Sequence, residues 1–552
     1  MRSTLPFISL LIAISCGSLF FRLGSLPLSG ADEPRYARIA QEMRDQGSWA
    51  TPLLQGKPWL EKPPLYYWIT APFYSIFEIK ETAARFGPAL CALITAISVF
   101  WLGSGLWSRQ TGLIGASILL TSIGFVGFGR GASTDMPFTC CFTLSMAILA
   151  RGVALPGQRA ARPHMLASGR VARAPGWKIL FAYVFLGLAI LGNGPVAIVL
   201  AFGIGLCFWF LDEQGTDLNS WRIVQGLALT AAVSVPWFWL VFHRNGFAFV
   251  STFFINHNIA RYATGIHHHS EPFLYYLPVL LALLFPWSGW FPLFLSKSPL
   301  KEIRRWRQWD PRMIFLICWF LVPVIFFSFS DSKLAGYILP SLPPLALILG
   351  IYASRAIKGT IEKFRLRAAG VLHLMFSASV AVAAPFFFQK EYGGNWKIGL
   401  LLGITILVPA FFTFGFTIKG KCIRAFSATV LQSLILIFFI TQFAFPLLGA
   451  YYSTREIAHR ALELRSPGEP ILTYRFFQHS LYYYTGYQVE TQLDDKESLV
   501  QFARRHPDFL VVTKAEGMKE ITGMKEISAS PLGEQGNLRL LKIRDSKFEI
   551  RN

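Results

Sequence analysis

The chain has 552 residues, of which 53% are hydrophobic, 15% aromatic and only 15% charged. Soluble domains carry about a quarter charged residues, so a water-facing surface for the whole chain is excluded. The net charge of +21 would suit a nucleic-acid binder, but the basic residues gather in Arg151–Lys178, Lys297–Arg312, Arg355–Arg367 and Lys419–Arg424. That is the positive-inside pattern of cytoplasmic loops, and no nucleic-acid partner is expected.

Taken in chain order, the apolar runs predict thirteen membrane-spanning helices. They lie near 5–24, 83–106, 112–129, 136–150, 178–192, 195–211, 223–242, 273–295, 312–329, 337–354, 368–388, 397–417 and 425–447. About 20 apolar residues cross a bilayer as a helix, and only helices and closed barrels satisfy their backbone in lipid. The first run reads as an uncleaved span, because it continues through Phe20–Phe21 with no small-residue cleavage site. With the N-terminus inside, all four basic loops fall inside and residues 448–552 fall outside.

The expected architecture is therefore an all-α polytopic membrane domain over 1–447 and a small periplasmic α/β domain over 448–552. In the tail, Ile471–Phe477, Leu481–Tyr484, Phe509–Thr513 and Leu538–Ile543 read as strands, and Ser498–Arg505 as a helix. Ala154–Gly176 reads as a flexible cytoplasmic loop. Six of the seven cysteines lie in or beside apolar runs, and neither a disulfide framework nor a CxxC metal site is expected.

The outer segments carry the chemistry. In the first, residues 25–82, Tyr36, Ile39, Ala40 and Met43 make an apolar stripe on a helix lying along the membrane surface, with Asp32 as its N-cap and Pro34 in its first turn. Glu61 and Lys62 precede Pro63–Pro64, where a second surface helix begins. Asp135 stands at the outer end of the fourth span, His257, Arg261 and Tyr262 in the loop 243–272, and Lys333 and Tyr337 at the mouth of the tenth span. Each alone has a plain reading, such as a helix cap, a headgroup contact or a snorkelling lysine. Together, on one membrane face, they read as one site.

Arg35, Lys62, Arg261 and Lys333 suit a phosphate, with Tyr36 and Tyr337 as hydrogen-bond donors. Fixed cations stabilise the charge that develops on a departing lipid phosphate during glycosyl transfer. Asp32 is the first candidate base for an acceptor hydroxyl, with Glu61 and Asp135 behind it. Glu33, beside Asp32, and His257 are grouped with the substrate-binding residues. A divalent metal held by Glu61 and His257 is the looser metal reading, and one at His267–His269 is weaker still.

The ordered motifs Asp32-Glu33-Pro34-Arg35-Tyr36-Ala37, Glu61-Lys62-Pro63-Pro64, Thr134-Asp135-Met136-Pro137, Phe253-Phe254 with His257–Tyr262, Glu271-Pro272-Phe273 with Tyr275–Pro278, and Lys333-Leu334 with Tyr337–Pro340 resemble the ArnT-type glycosyltransferases. That group is related to protein O-mannosyltransferases and has the GT-C fold. The resemblance implies about thirteen membrane helices, surface-lying helices in the first outer loop and a periplasmic C-terminal domain. It implies a polyprenyl (undecaprenyl) phosphate sugar donor and, as in the best-known members, lipid A as acceptor. It further implies that Asp32 is the catalytic carboxylate and that Arg35, Tyr36, Lys62, Arg261 and Tyr337 surround the donor phosphate. Asn193, His257-Asn258 and Asp331-Ser332-Lys333 depart from the pattern of lipid A-modifying members and place the chain in the broader family. A protein O-mannosyltransferase-like enzyme, a lipid-linked sugar flippase and a non-catalytic envelope assembly protein are the alternatives.

Overall fold

A computed structural model of the chain describes residues 5–78, 80–152, 176–212, 220–263, 271–294, 309–391, 395–506 and 508–545. The expected loop Ala154–Gly176 and the run His267–His269 lie, but for Gly176, outside these residues.

Helices stand at all thirteen predicted stretches. Among the described residues, seven are long and apolar enough to cross a membrane, or nine if two bent pairs each count as one span. This is a multi-pass membrane protein. Helix Ala335–Ile357 is the most enclosed of the seven, with 78% of its apolar window buried, whereas Lys363–Glu391 buries only 28% and turns most of its surface outward.

One bent pair joins α5 (Arg109–Leu120) and α6 (Ile123–Arg130) at 65°; the other joins Phe273–Leu283 and Trp287–Phe294 at 110°. At the first break the hydroxyls of Thr121 and Ser122 donate back to the carbonyls of Ser117 and Ile118, at 2.5 and 2.7 Å, in competition with the helical ladder. The two breaks satisfy each other: Ile123 N donates to Phe285 O at 2.9 Å, and Trp287 Nε1 to Thr121 Oγ1 at 2.9 Å. Polar backbone exposed by a bend at membrane depth needs such partners.

The first outer segment holds α2 (Asp32–Gln46), a two-residue hairpin of β1 (Leu53–Leu54) and β2 (Lys57–Pro58), and α3 (Leu65–Thr70). The expected stripe Tyr36, Ile39, Ala40 and Met43 is buried. The cap expectation fails: Ala31 is the N-cap residue and Asp32 opens the helix without a capping bond. Arg35, one turn on, holds the Asp32 carboxylate instead, at 2.5 Å. The helix stops at Gly47, whose φ of +65° a side chain would disfavour. Glu42 then fixes the hairpin turn by accepting from Gln55 N at 2.9 Å and Gly56 N at 3.1 Å.

The tail forms a mixed five-stranded sheet of order β4-β3-β5-β7-β6, from β3 (Ile471–Tyr474), β4 (Val489–Leu493), β5 (Asp508–Lys514), β6 (Ile527–Gln535) and β7 (Leu538–Asp545). β3 is parallel to β4 and β5; β7 is antiparallel to β5 and β6. The expected strand Leu481–Tyr484 belongs to a helix, His479–Tyr484. Its tyrosines favour a strand intrinsically, but tertiary bonds override that preference. Tyr483 OH accepts from Gln41 Nε2 at 3.0 Å; Tyr484 OH accepts from Leu28 N at 2.7 Å and donates to Glu81 at 2.9 Å. These bonds dock the small domain onto α2 and onto the start of α4 (Lys80–Leu106).

Candidate active site

The site is built on a buried ion pair. Glu33 accepts from Arg85 Nε at 3.0 Å and Nη2 at 2.7 Å, from Ala132 N at 2.9 Å and from Ser29 N at 3.1 Å. Arg85 spends its remaining donors on the carbonyls of Leu23, Leu26 and Pro27. Burial opposes ionisation of Glu33, but the Arg85 guanidinium and these hydrogen bonds hold its carboxyl below the usual range. Glu33 is thus a staple between α2, α4 and the segment before α7 (Asp135–Gly152), and its carboxylate is spent on that staple rather than turned toward a ligand. The staple sets Asp32, one residue before Glu33, near Asp135, three residues after Ala132. Arg85 is the residue that reading the apolar run missed. An arginine in a membrane span is itself the signal, since such a charge must find a partner.

A cavity of about 380 Å³ opens beside this staple. Its polar wall carries Glu61, Lys62, Asn193, His257, Arg261 and Tyr337; its apolar wall includes Val196, Val199, Phe253 and Phe326. The π-helical segment Val250–Ala260 and the turn after it bring His257, Arg261 and Tyr262 to the wall. His257 Nε2 lies 3.7 Å from Glu61 Oε1. Arg261 sits over the Tyr337 ring at 5.6 Å, and its buried Nε has no hydrogen-bond partner among the described residues. Tyr262 donates to Phe326 O at 3.0 Å and stacks on the Phe326 ring. Lys62 Nζ donates to Asn193 Oδ1 at 2.8 Å. The break after Asn193 requires glycine: Gly194 has φ +87°, and a Cβ there would meet Phe253 Cζ at 2.9 Å.

Asp32, Arg35, Tyr36 and Asp135 flank the cavity rather than line it. Arg35 lies over Trp59 at 5.2 Å and pairs with Asp32, whose side chain keeps 58% of its surface exposed. Burial pushes the Lys62 ammonium down; Arg261 pushes it further, while Asp135, Asp32 and Glu61 pull it back up. Burial raises the Glu61 carboxyl, against the nearby charges of Arg35 and Lys62. Burial, with Asp32 and Asp135 nearby, keeps the Tyr36 phenol protonated and able to donate. Asp32, Glu61, Lys62, Asp135 and Arg261 therefore lie within one another's electrostatic reach. Asp135 also packs against Gly336, where a Cβ would stand 2.6 Å from its Oδ2.

Lys333 is not brought to the cavity wall. Its ammonium is buried and donates to Glu271 O at 2.9 Å and Ser330 O at 2.6 Å, tying together the loops before two spans. Glu61 and His257 remain neighbours, but among the described residues no cluster of three or more His, Cys, Asp or Glu side chains is placed to hold a metal ion. His479 is a further contributor that the sequence did not suggest. It comes from the small domain, close enough to Arg35 and Asp32 to feel their charges, and burial with Arg35 lowers its pKa to about 4.

The family described as dolichyl-phosphate-mannose-protein mannosyltransferase matches residues 28–249. The undecaprenyl phosphate-alpha-4-amino-4-deoxy-L-arabinose arabinosyl transferase of Pectobacterium atrosepticum is 31% identical over 402 residues, 71% of this chain and 65% of that protein. Its counterpart in Pseudomonas fluorescens is 31% identical over 68% of this chain and 63% of that protein. The chain thus spans just under two thirds of the length of these relatives. Among solved structures, ArnT of Cupriavidus metallidurans bound to undecaprenyl phosphate superposes with a TM-score of 0.78 at 20% identity, over 98% of both chains. The apo oligosaccharyltransferase of Archaeoglobus fulgidus gives 0.51 at 12% identity, over 93% of this chain and 70% of that one. The fold is that of the ArnT structure, and the apolar helices make the chain a multi-pass membrane protein. The chain is similar in sequence to these arabinosyl transferases and shares the fold of the ArnT structure.

Proposed function

We propose that the protein is an inner-membrane glycosyltransferase. It moves a sugar from a polyprenyl (undecaprenyl) phosphate carrier to an acceptor at the periplasmic face, such as lipid A or another envelope lipid or glycan. The proposal includes thirteen spans, a transferase domain over 1–447, and a periplasmic placement of both the cavity and the domain over 448–552. One observation carries it: a cation-bearing cavity with an apolar wall stands beside a half-exposed carboxylate, Asp32. The relatives named as undecaprenyl-phosphate-sugar transferases support the choice of donor.

In this reading the apolar wall takes the first isoprene units, and Arg261, Lys62 and Tyr337 take the phosphate. Asp32 accepts the proton of the acceptor hydroxyl as its oxygen attacks the sugar's anomeric carbon. The bond from that carbon to the phosphate oxygen breaks, and the electron pair leaves on the lipid phosphate, where the two cations stabilise it. One base and one stabilised leaving group suffice for inversion, with no covalent sugar–enzyme bond. Arg35 holds Asp32, Tyr36 and Asp135 complete the polar surround, and Glu33 and Lys333 position the elements that carry these groups.

Reconstituted protein given polyprenyl-phosphate sugar and lipid acceptors tests the proposal by mass spectrometry. Glycosylated acceptor is the expected product; movement of the intact carrier across the vesicle bilayer without transfer would make the protein a flippase instead.

Two expected results follow from the cavity. Arg261→Ala lowers transfer by about 10²-fold, the scale of losing one preorganised donor to the leaving group, and stopped assays with saturating donor measure it. Lys62 binds phosphate only while charged, and its pKa lies below that of an ordinary lysine. Donor KM therefore rises at a lower alkaline pH than a normal lysine would give, and Lys62→Arg moves that rise upward in a KM–pH profile.

A further inference from the structure

A second cavity, of about 370 Å³, lies at the other end of the spans that leave the site, among Trp107, Thr111, Arg312, Ser354, Arg355 and Lys358. On α4, Arg85 belongs to the staple and Leu106 to this cavity's wall. Twenty-one residues at 1.5 Å rise separate them by about 30 Å, the thickness of the hydrocarbon core. Helix Ala335–Ile357 makes the same crossing, with Gly336 against Asp135 at one end and Ser354 and Arg355 in the cavity wall at the other. The second cavity is therefore on the membrane face opposite the candidate active site.

Its described wall contains no carboxylate. Arg312 is matched by Asp310, with Nε 2.9 Å from Oδ1, and lies over the Trp107 ring at 5.3 Å. The Arg151 guanidinium packs against Gly105, another wall residue. Arg355 and Lys358 are exposed, and neither is in an ion pair with a carboxylate among the described residues. Thr111 and Ser354 add hydroxyls and Trp107 an indole at the depth where amphipathic rings settle. A loop that merely sets orientation needs cations; it does not need a walled recess between helices that gathers cations, hydroxyls and an indole.

We propose that this recess binds an anionic phosphate group, supplied by the headgroup of an acidic membrane lipid. Basic recesses between spans on the cytoplasmic side recognise such headgroups, each cation near the surface adding about fivefold to affinity. The proposal concerns a site that sugar transfer does not use, and it stands whichever reaction the first cavity performs.

Full-length protein is purified in detergent, and native mass spectrometry measures binding of phosphatidylglycerol, phosphatidylcholine and inorganic phosphate to wild type and to the R355Q/K358Q variant. Both substituted side chains are solvent-exposed, and thermal unfolding in the same detergent is followed as the control for folding. Phosphatidylglycerol is expected to bind the variant roughly 25-fold more weakly, two cations at about fivefold each, with the unfolding temperature unchanged. Displacement of phosphatidylglycerol from wild type by millimolar inorganic phosphate would support the site but assign it to a free phosphate. Equal phosphatidylglycerol affinity in wild type and variant, or equal wild-type affinity for phosphatidylcholine, would overturn the proposal.

Discussion

Asp32→Asn is expected to abolish most sugar transfer, by about 10²–10⁴-fold, the range contributed by a positioned general base. Asparagine keeps the side chain's size and its hydrogen bond to Arg35 but cannot take a proton from the acceptor. Asp32 supplies no helix cap, so no capping energy is lost with it. Its pair with Arg35 is largely exposed on the Asp32 side, and such pairs contribute little to stability. Thermal unfolding and undecaprenyl phosphate binding are therefore expected to stay near wild type while turnover collapses. The measurement is kcat in a reconstituted transfer assay, with donor binding measured separately. Retained turnover in a folded Asp32→Asn protein would move the base to Glu61 or Asp135.

Arg85→Ala is expected to have the largest effect on stability. It leaves Glu33 as an uncompensated charge at a site where Arg85 is only 3% exposed and Glu33 18%. Breaking one partner of a buried pair costs about 3–5 kcal/mol. It also frees the carbonyls of Leu23, Leu26 and Pro27, so the first outer segment loosens from α4. The sign of the pH effect follows from Glu33, whose pKa is lower in the folded protein than in the unfolded chain. Its contribution is fully present above the unfolded value, near 4.3, and is lost as pH falls through the depressed folded value. Glu33→Gln should remove that acid-side loss and lower the Tm at neutral pH. Thermal unfolding in detergent from pH 7 down to pH 3 checks both. Wild-type stability unchanged in Arg85→Ala would refute the staple.

Much of this arrangement is legible in the amino-acid order because lipid imposes strict rules. Apolar runs mark the helices, and the stripe Tyr36, Ile39, Ala40, Met43 marks the buried face of α2. Loop motifs mark the candidate site, because ionisable groups beside membrane spans are rare. What escapes the sequence depends on contacts between distant segments. The Arg85–Glu33 pair joins residues 52 apart, and nothing local in the α4 run names its partner. Lys333 looks like a phosphate ligand by composition, yet two backbone carbonyls claim it. Tyr483 and Tyr484 read as a strand until their hydroxyls meet Gln41, Leu28 and Glu81, more than 400 residues away. His479 reaches the site only because that helix docks where it does.

The central claim is that Lys62 and Arg261 hold a lipid phosphate in the cavity next to Asp32. An experimental structure of the protein with undecaprenyl phosphate tests it most directly. The account predicts the phosphate within about 3.2 Å of Lys62 Nζ and an Arg261 nitrogen, with the first isoprene units along Val196, Val199 and Phe326. A phosphate bound elsewhere, with both cations out of hydrogen-bond reach, would contradict it.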